Sequence, residues 1–249
     1  MDQYNIWFEI FHKLDFKSKL SLIFTCSTIK NNLFITDLYS IDKIYLELLD
    51  DYVLKRDIFE QTKKLKTNNK ITDVSFLKNL KILYTWHNCR IGQNGVEGLD
   101  LVELNAGDNS KITNVSFMKN LKVLGAQFDC GIGQNGIKGL DLIKLNAGCN
   151  SKITNVSFMK NLKVLNAFGH CGIYQDGIKG LDLVELDVGG NRKITNVSFM
   201  KNLKILDAWG NSGIGQDGIK GLDLIELNAY DNSKITNVSF MKNLKVHKN

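Results

Sequence analysis

The chain has 249 residues, of which 43% are hydrophobic, and this content is ample for the packed core of one or two domains. Its formal net charge of +6 comes largely from lysines that recur at fixed intervals, and a nucleic-acid surface would instead cluster arginines with stacking aromatic side chains. We therefore expect a solvated face and no nucleic-acid partner. No stretch reaches 18 consecutive apolar residues, and the first residues lack the pattern of a secretory signal. These features predict no membrane partner and an intracellular protein, in the cytoplasm or the nucleus.

The first 40 residues differ in pattern from the rest of the chain. Apolar residues between Ile6 and Leu33 recur mostly at helical spacings, with a break at residues 15–18. This predicts short amphipathic helices joined by a tight turn. Helices of this length are marginal in isolation, so they must pack against something.

These residues carry a resemblance to a known module. The apolar positions Ile10, Phe11, Leu14, Leu20, Leu22 and Ile23, followed by Cys26, Ile29 and Leu33, form a pattern that resembles an F-box. The resemblance implies that the first six bind a Skp-type adaptor of a cullin ubiquitin ligase. The alternative is a plain helical cap, which repeat arrays need at their ends to stay soluble.

Helical periodicity is lost after Phe34, and we interpret residues 41–69 as a junction and a degenerate N-terminal repeat. Beyond it, the twelve-residue segment that begins at Lys111 recurs unchanged from Lys152, Lys193 and Lys234, at intervals of 41 residues. A fixed period of 20 to 50 residues is the signature of a solenoid, in which each unit buries its apolar face against its neighbours.

Two shorter units lie inside each period, and both fit the template L-x-x-L-x-L-x-x-N-x-x-I. Their first leucines are Leu80, Leu101, Leu121, Leu142, Leu162, Leu183, Leu203 and Leu224, with a truncated unit at Leu244. Residues 70–249 thus hold about eight units of 20–21 residues. In the degenerate copy, Leu65, Asn68 and Ile71 fit positions six, nine and twelve. Position six is small in every regular unit, which predicts a narrow interior there.

At these positions the chain resembles the leucine-rich-repeat family. The resemblance implies an α/β repeat fold, a solenoid with parallel strands on its concave face and short helical or irregular segments on its convex face. An F-box-like module followed by near-identical tandem repeats also resembles F-box and leucine-rich-repeat proteins of amoebal giant DNA viruses.

In this family the strand side chains alternate between core and solvent, so positions three, five, seven and eight face the concave side. Positions five, seven and eight differ between copies whose convex segment is identical, which indicates diversification for contact. Exposed aromatics beside small and acidic residues are typical of a binding hot spot. The predicted partner-binding residues are Tyr84, Trp86, His87, Phe128, Phe168, Asp187, Asp207, Trp209 and Tyr230. The alternative is that the rings fill gaps left by facing glycines.

Two further ladders are interpreted as structural. Position nine is mostly Asn, whose amide can bond backbone groups where the chain leaves the strand, and His170 is expected to replace Asn in that role. Cys89, Cys130 and Cys171 lie 41 residues apart, hence about 10 Å apart across two strand spacings. That distance is too long for a disulfide or a shared zinc ion, so we expect buried free thiols.

We expect no enzyme, since no residue set matches a catalytic, cofactor or metal site. The glycines of residues 131–136 recur in every period as turn residues, and the acidic ladder of Asp100, Asp141, Asp182 and Asp223 is typical of solvated or turn-capping positions. The predicted function is an F-box/leucine-rich-repeat substrate receptor that binds a target protein on its concave face and is monomeric outside the complex. The alternative is an interaction scaffold with no ubiquitin role.

Overall fold

The computed structural model describes residues 15, 18, 37–38, 62–86 and 89–248. The chain divides into two compact units, Met1–Leu101 and Val102–Asn249. The six residues of the F-box-like pattern lie outside the described residues, as do His87 and most of the predicted junction. The predicted domain boundaries at 40 and 69 therefore stay predictions.

The described residues of the first unit include three short strands, β1 (Asp37–Leu38), β2 (Lys64–Lys66) and β3 (Ile82–Tyr84), and a 3-10 helix at Gln93–Val96. The strands pair in parallel, β1 with β2 and β2 with β3.

One detail of the degenerate repeat was predicted wrongly. Leu65 pairs with Leu83, which places it at position four and not at position six. Asn68 keeps the predicted turn role, because its Oδ1 accepts hydrogen bonds from the backbone N–H groups of Lys70 and Ile71. The mismatch arises because this turn is two residues shorter than its equivalent between Leu104 and Asn109.

The second unit is a parallel β solenoid of the leucine-rich-repeat type. Its described strands are β4 (Glu103–Asn105), β5 (Val123–Gly125), β6 (Lys144–Asn146), β7 (Val164–Asn166), β8 (Glu185–Asp187), β9 (Ile205–Asp207), β10 (Glu226–Asn228) and β11 (Val246–Lys248). Each pairs in parallel with the next, and the middle leucines are in register, as in Leu124 with Leu145. Short 3-10 helices at Gln134–Ile137, Gln175–Ile178 and Gln216–Ile219 recur once per 41 residues.

The core consists of the template's apolar positions. In one unit Leu121, Leu124 and Ala126 are at most 1% exposed, and the convex Met118 is fully buried. Every residue at position six is fully buried: Thr85, Ala106, Ala126, Ala147, Ala167, Val188, Ala208 and Ala229. This burial confirms that position six lies in the core, and the narrow interior there stays a prediction.

The identical convex segment makes identical hydrogen bonds in successive copies. The side chain of Gln134 accepts from the N–H groups of Thr154 and Asn155, at 3.0 and 2.9 Å, and donates to the carbonyl of Asn155. Gln175 and Gln216 repeat these bonds one and two periods later. These bonds join one unit to the next and explain why glutamine recurs at 134, 175 and 216.

The acidic ladder also joins neighbouring units. Asp141 accepts hydrogen bonds from the side-chain amide and the backbone N–H of Asn161, and these bonds hold the pKa of the Asp141 carboxyl below its usual value. Asp182 and Asp223 have the same arrangement with Asn202 and Asn243. The turn-capping interpretation is confirmed for these three residues.

Position nine follows the prediction only in alternate units. Buried Asn150 donates from Nδ2 to the carbonyls of Ala126 and Ile132, at 2.7 and 3.0 Å, and accepts from the N–H of Lys152. Asn191 and Asn232 make equivalent bonds.

The expectation that His170 replaces Asn was wrong, because His170 is exposed. In its unit the next residue, Cys171, is fully buried and accepts a hydrogen bond from the N–H of Ile173. Cys130 has the same role, and Ser212 Oγ accepts from Ile214 N in the third period. Burial raises the pKa of both thiols to about 11, and the predicted buried free cysteines Cys89, Cys130 and Cys171 are confirmed.

Candidate protein-binding face

The sheet of the second unit has one face directed away from the core, which we call the open face. Each of the strands β4 to β10 buries its middle leucine and leaves its first and third residues, template positions three and five, partly or fully accessible. Positions seven and eight follow directly after each strand. The open face is therefore built from template positions three, five, seven and eight. Position three alternates between charged and apolar residues along much of the sheet, and the other three positions differ between copies.

Position seven alternates between small and large residues along part of the sheet. A Cβ added to Gly148 would lie 2.2 Å from Cε1 of Phe168, and a Cβ added to Gly189 would lie 2.0 Å from Nε1 of Trp209. Each ring thus covers the glycine of the preceding unit. One face of each ring therefore packs as the gap-filling interpretation predicts. The other side of the Trp209 ring remains open, since Trp209 is 41% exposed, whereas Phe168 is half-buried.

Position eight adopts the left-handed backbone conformation in every described unit. Glycine accepts this conformation without strain, as at Gly169, Gly190 and Gly210, but Phe128 adopts it with φ of 58°. A bulky residue there is an outlier, with a cost on the order of 1 kcal/mol. The strained backbone presents the Phe128 ring to solvent, where it forms a T-shaped pair with Phe168 at a centroid distance of 6.0 Å.

Two acidic residues lie side by side on neighbouring strands. Asp187 is aligned with Asp207 in the sheet. Its carboxylate accepts hydrogen bonds from Gly189 N at 3.0 Å and from Asn166 Nδ2 at 2.8 Å. Burial, with a further contribution from Asp207, nevertheless raises the pKa of the Asp187 carboxyl to about 6. A cation or hydrogen-bond donor from a partner would find a carboxylate that is incompletely compensated.

The remaining predicted contact residues are placed as follows. Tyr230 is 64% exposed, the largest value among the exposed apolar and aromatic side chains of the described residues. In the first unit, Tyr84 is half-buried on β3, Trp86 is 44% exposed, and His87 is not described. The structure therefore brings Phe128 close to Phe168, and Asp187 close to Asp207.

Sequence reasoning missed a cavity of about 420 Å³ beside Trp209 and Tyr230. Its wall includes Arg192 and Gly190, neither of which was singled out. The sequence did contain a signal for this cavity, because Arg192 stands where the other copies have serine, at Ser110, Ser151 and Ser233.

Two other kinds of site are absent from the described part of the chain. No group of three His, Cys, Asp or Glu side chains there could hold a metal ion. Nor does that part contain a helix long and apolar enough to cross a bilayer.

Comparison with known proteins returns similarity at the level of solved structures. No family model matches the chain, and no curated protein matches it. It is similar to an internalin of Listeria monocytogenes, with 17% identity and a TM-score of 0.42 over 80% of this chain and 76% of that one. It is also similar to a chain of the yeast Rad7 and Elc1 complex, with 14% identity and a TM-score of 0.44 over 76% and 68%. Similarity at these identities concerns the fold and does not extend to function.

Proposed function

We propose that this protein is a non-enzymatic recognition module that binds a target protein on the open face. The observation that carries the proposal is the contrast between two sets of positions within one chain. The convex segment is identical in four copies, whereas positions five, seven and eight of the same copies differ.

Hydrogen bonds between units explain why residues of the convex side are the same in successive copies. Gln175 and Asp182 each bond groups of the following unit, so their identity in successive copies follows from the needs of the fold. Side chains that project from the open face have no such inter-unit role in common. Three of them, Phe128, Trp209 and Tyr230, expose 40%, 41% and 64% of their surface. Exposed aromatic anchors of this kind are typical of protein interfaces.

The more specific proposal is a substrate receptor of a cullin-type ubiquitin ligase, acting inside the cell and, if the protein is viral, in the host. It is supported by the resemblance of Ile10, Phe11, Leu14, Leu20, Leu22 and Ile23 to an F-box, since these residues would bind a Skp-type adaptor. The competing proposal is an interaction scaffold whose N-terminal helices only cap the repeats.

Affinity purification of the full chain from eukaryotic cells tests both parts. A receptor should co-purify adaptor and cullin, and the pair Ile10→Ala with Leu20→Ala should lose them while keeping the open-face partner. Deletion of residues 1–33 should have the same effect and leave a soluble protein. Aggregation of the deletion, with no adaptor bound by the full chain, would reject the ligase assignment and leave the scaffold.

Substitution on the open face tests the recognition proposal itself. Tyr230→Ala is the best single change, because this ring is mostly exposed, whereas Phe168→Ala and Trp209→Ala also uncover Gly148 and Gly189. We expect loss of partner binding with an unchanged melting temperature for Tyr230→Ala. Undiminished binding by a variant that combines Phe128→Ala, Trp209→Ala and Tyr230→Ala, with its fold intact by circular dichroism, would contradict the assignment of this face.

A further inference from the structure

The cavity beside Trp209 and Tyr230 lies at the edge of the open face, within the second unit. Its volume of about 420 Å³ is enough for a side chain and part of the backbone that carries it. The residues that give it chemical character are His170, Gly190, Arg192, Trp209, Tyr230 and Asp231.

Three of these residues depart from the pattern of their own ladders. His170 stands where Asp129 and Asn211 stand in the adjacent periods. Gly190 stands at the position of Asp108, Cys149 and Asp231, and Arg192 at the position of serine in three other copies. Compared with the aspartates at 108, 129 and 231 and with the serines, the three residues lack a carboxylate or add a donor, and all three meet at one cavity.

The backbone conformation at position 190 does not require glycine. Gly190 has φ of 68°, but Asp108 and Asp231 adopt nearly the same conformation, with φ of 59° and 57°. An aspartate would therefore fit at 190 as it does in the equivalent positions. Its replacement by glycine leaves space and removes a negative charge from the cavity.

Arg192 supplies the positive charge. Within the described residues its exposed guanidinium makes no hydrogen bond and no ion pair. The neighbouring Lys193 is engaged, since its Nζ donates to the carbonyl of Cys171 at 3.2 Å. The planar fork of an arginine matches a carboxylate with two parallel hydrogen bonds, so a free guanidinium beside two exposed rings suits an acidic side chain with apolar methylene groups.

We propose that this cavity receives a glutamate or aspartate side chain from an acidic segment of the protein partner. The proposal rests on the recognition function of the open face and names the chemistry of its partner. Arg192 binds the carboxylate, His170 lines the mouth, and the rings of Trp209 and Tyr230 cover the methylene groups. Asp231 limits the charge that the cavity accepts, which favours a single carboxylate over a doubly charged phosphate.

Titration with blocked pentapeptides tests the proposal without any knowledge of the partner. The probe has one central glutamate between leucines, and the matched probes carry glutamine or phosphoserine in its place. The readout is the backbone amide signals of Gly169, Gly190 and Gly210 in nitrogen–proton NMR spectra of the full chain. We expect saturable shifts with the glutamate peptide that weaken as salt is raised.

Two variants take their new residue from the chain's own copies, so the fold should accept them. Arg192→Ser should weaken glutamate-peptide binding about tenfold or more, as expected for a lost charged hydrogen bond. Gly190→Asp should abolish it by repulsion. Arg90→Ser makes the same charge change in the first unit and should leave binding unchanged.

Equal binding of the glutamate and glutamine peptides, preference for phosphoserine, or binding indifferent to both variants would each overturn the proposal. A separate outcome distinguishes it from the recognition function. If a captured partner protein is lost with Tyr230→Ala but is retained by Arg192→Ser and Gly190→Asp, the open face binds protein and the acidic-side-chain assignment is wrong.

Discussion

Replacing Asp187 by Asn should stabilise the protein at neutral pH. The substitution keeps the bond from the N–H two residues on, because Asn146 and Asn228 occupy the same position in other units and their Oδ1 atoms accept this bond as Asp187 does. It loses only the bond from Asn166 Nδ2. It removes a charge that burial and Asp207 make costly. An increase of the pKa from 3.8 to about 6 corresponds to at most about 3 kcal/mol. Asp187 is only half-buried, and screening by water reduces the expected gain to about 1 kcal/mol.

The sign of the pH dependence follows from the raised pKa of Asp187. The folded state prefers the protonated carboxyl, so this group contributes stability below about pH 4 that is lost as the pH rises through about 6. The stability gained in Asp187→Asn should therefore be about 1 kcal/mol at pH 7 and close to zero at pH 4. Urea unfolding followed by circular dichroism at pH 4, 5, 6 and 7 measures this difference.

Asp182→Asn is the matched control, with the same charge change five residues away. Hydrogen bonds from Asn202 lower the pKa of Asp182, so its carboxylate contributes stability above about pH 4 that is lost as the pH falls. The control should therefore be less stable than the natural protein at pH 7, opposite in sign to Asp187→Asn. A gain for Asp187→Asn that is equal at pH 4 and pH 7, or a loss at pH 7, would refute the reasoning.

Three further predictions concern the core, the convex bonds and the thiols. Ala147→Leu should overpack the narrow interior and lower the free energy of unfolding by about 1–3 kcal/mol. Ala147→Val should lower it less, since Val188 occupies the same position in another unit. Equal midpoints of urea denaturation for the natural protein and both variants would show that the register is wrong. Gln175→Ala should cost about 1 kcal/mol and speed hydrogen exchange at the amides of Thr195 and Asn196, which Gln175 binds at 2.9 Å. Unchanged exchange there would reject the bridging role. Cys130 and Cys171 should resist a thiol reagent at pH 8 until urea unfolds the chain, because burial keeps both thiols protonated. Adducts on either cysteine in the native protein, detected by mass spectrometry, would contradict this prediction.

Most of the fold could be predicted from the spacing of the leucines, because a parallel strand buries one residue in two and the template repeats without a gap. The eight small residues at position six illustrate this, since a fully buried position leaves a clear pattern. Position nine was harder. Asn150 and His170 have the same distance from their first leucines, yet only Asn150 is buried, because in the other unit the turn buries the residue that follows.

The open face was predictable as a set of positions but not as a surface. The exposure of Trp209 follows from strand alternation. Its contact with Gly189 depends on which neighbouring strand the ring packs against, and the spacing of residues within one strand does not determine this. The cavity around Arg192 was missed for the same reason. Its residues come from four successive units and meet only when the array is folded.

The side-chain bonds between units are not spaced evenly along the array. Gln134, Asp141 and Asn150 all join residues 121–141 to residues 142–161. Gln175, Asp182 and Asn191 do the same for residues 162–182 and 183–202. The natural building block is therefore a cross-linked pair of turns, and the seams between pairs, at 161/162 and 202/203, depend mainly on backbone bonds and ring packing. Excision of residues 162–202 would join two identical sequence contexts and leave every such cross-link of the remaining pairs in place. Arrays of this kind can lengthen or shorten by 41 residues at a time without any repair of their core, so the number of modules is free to change while each retains its own binding surface.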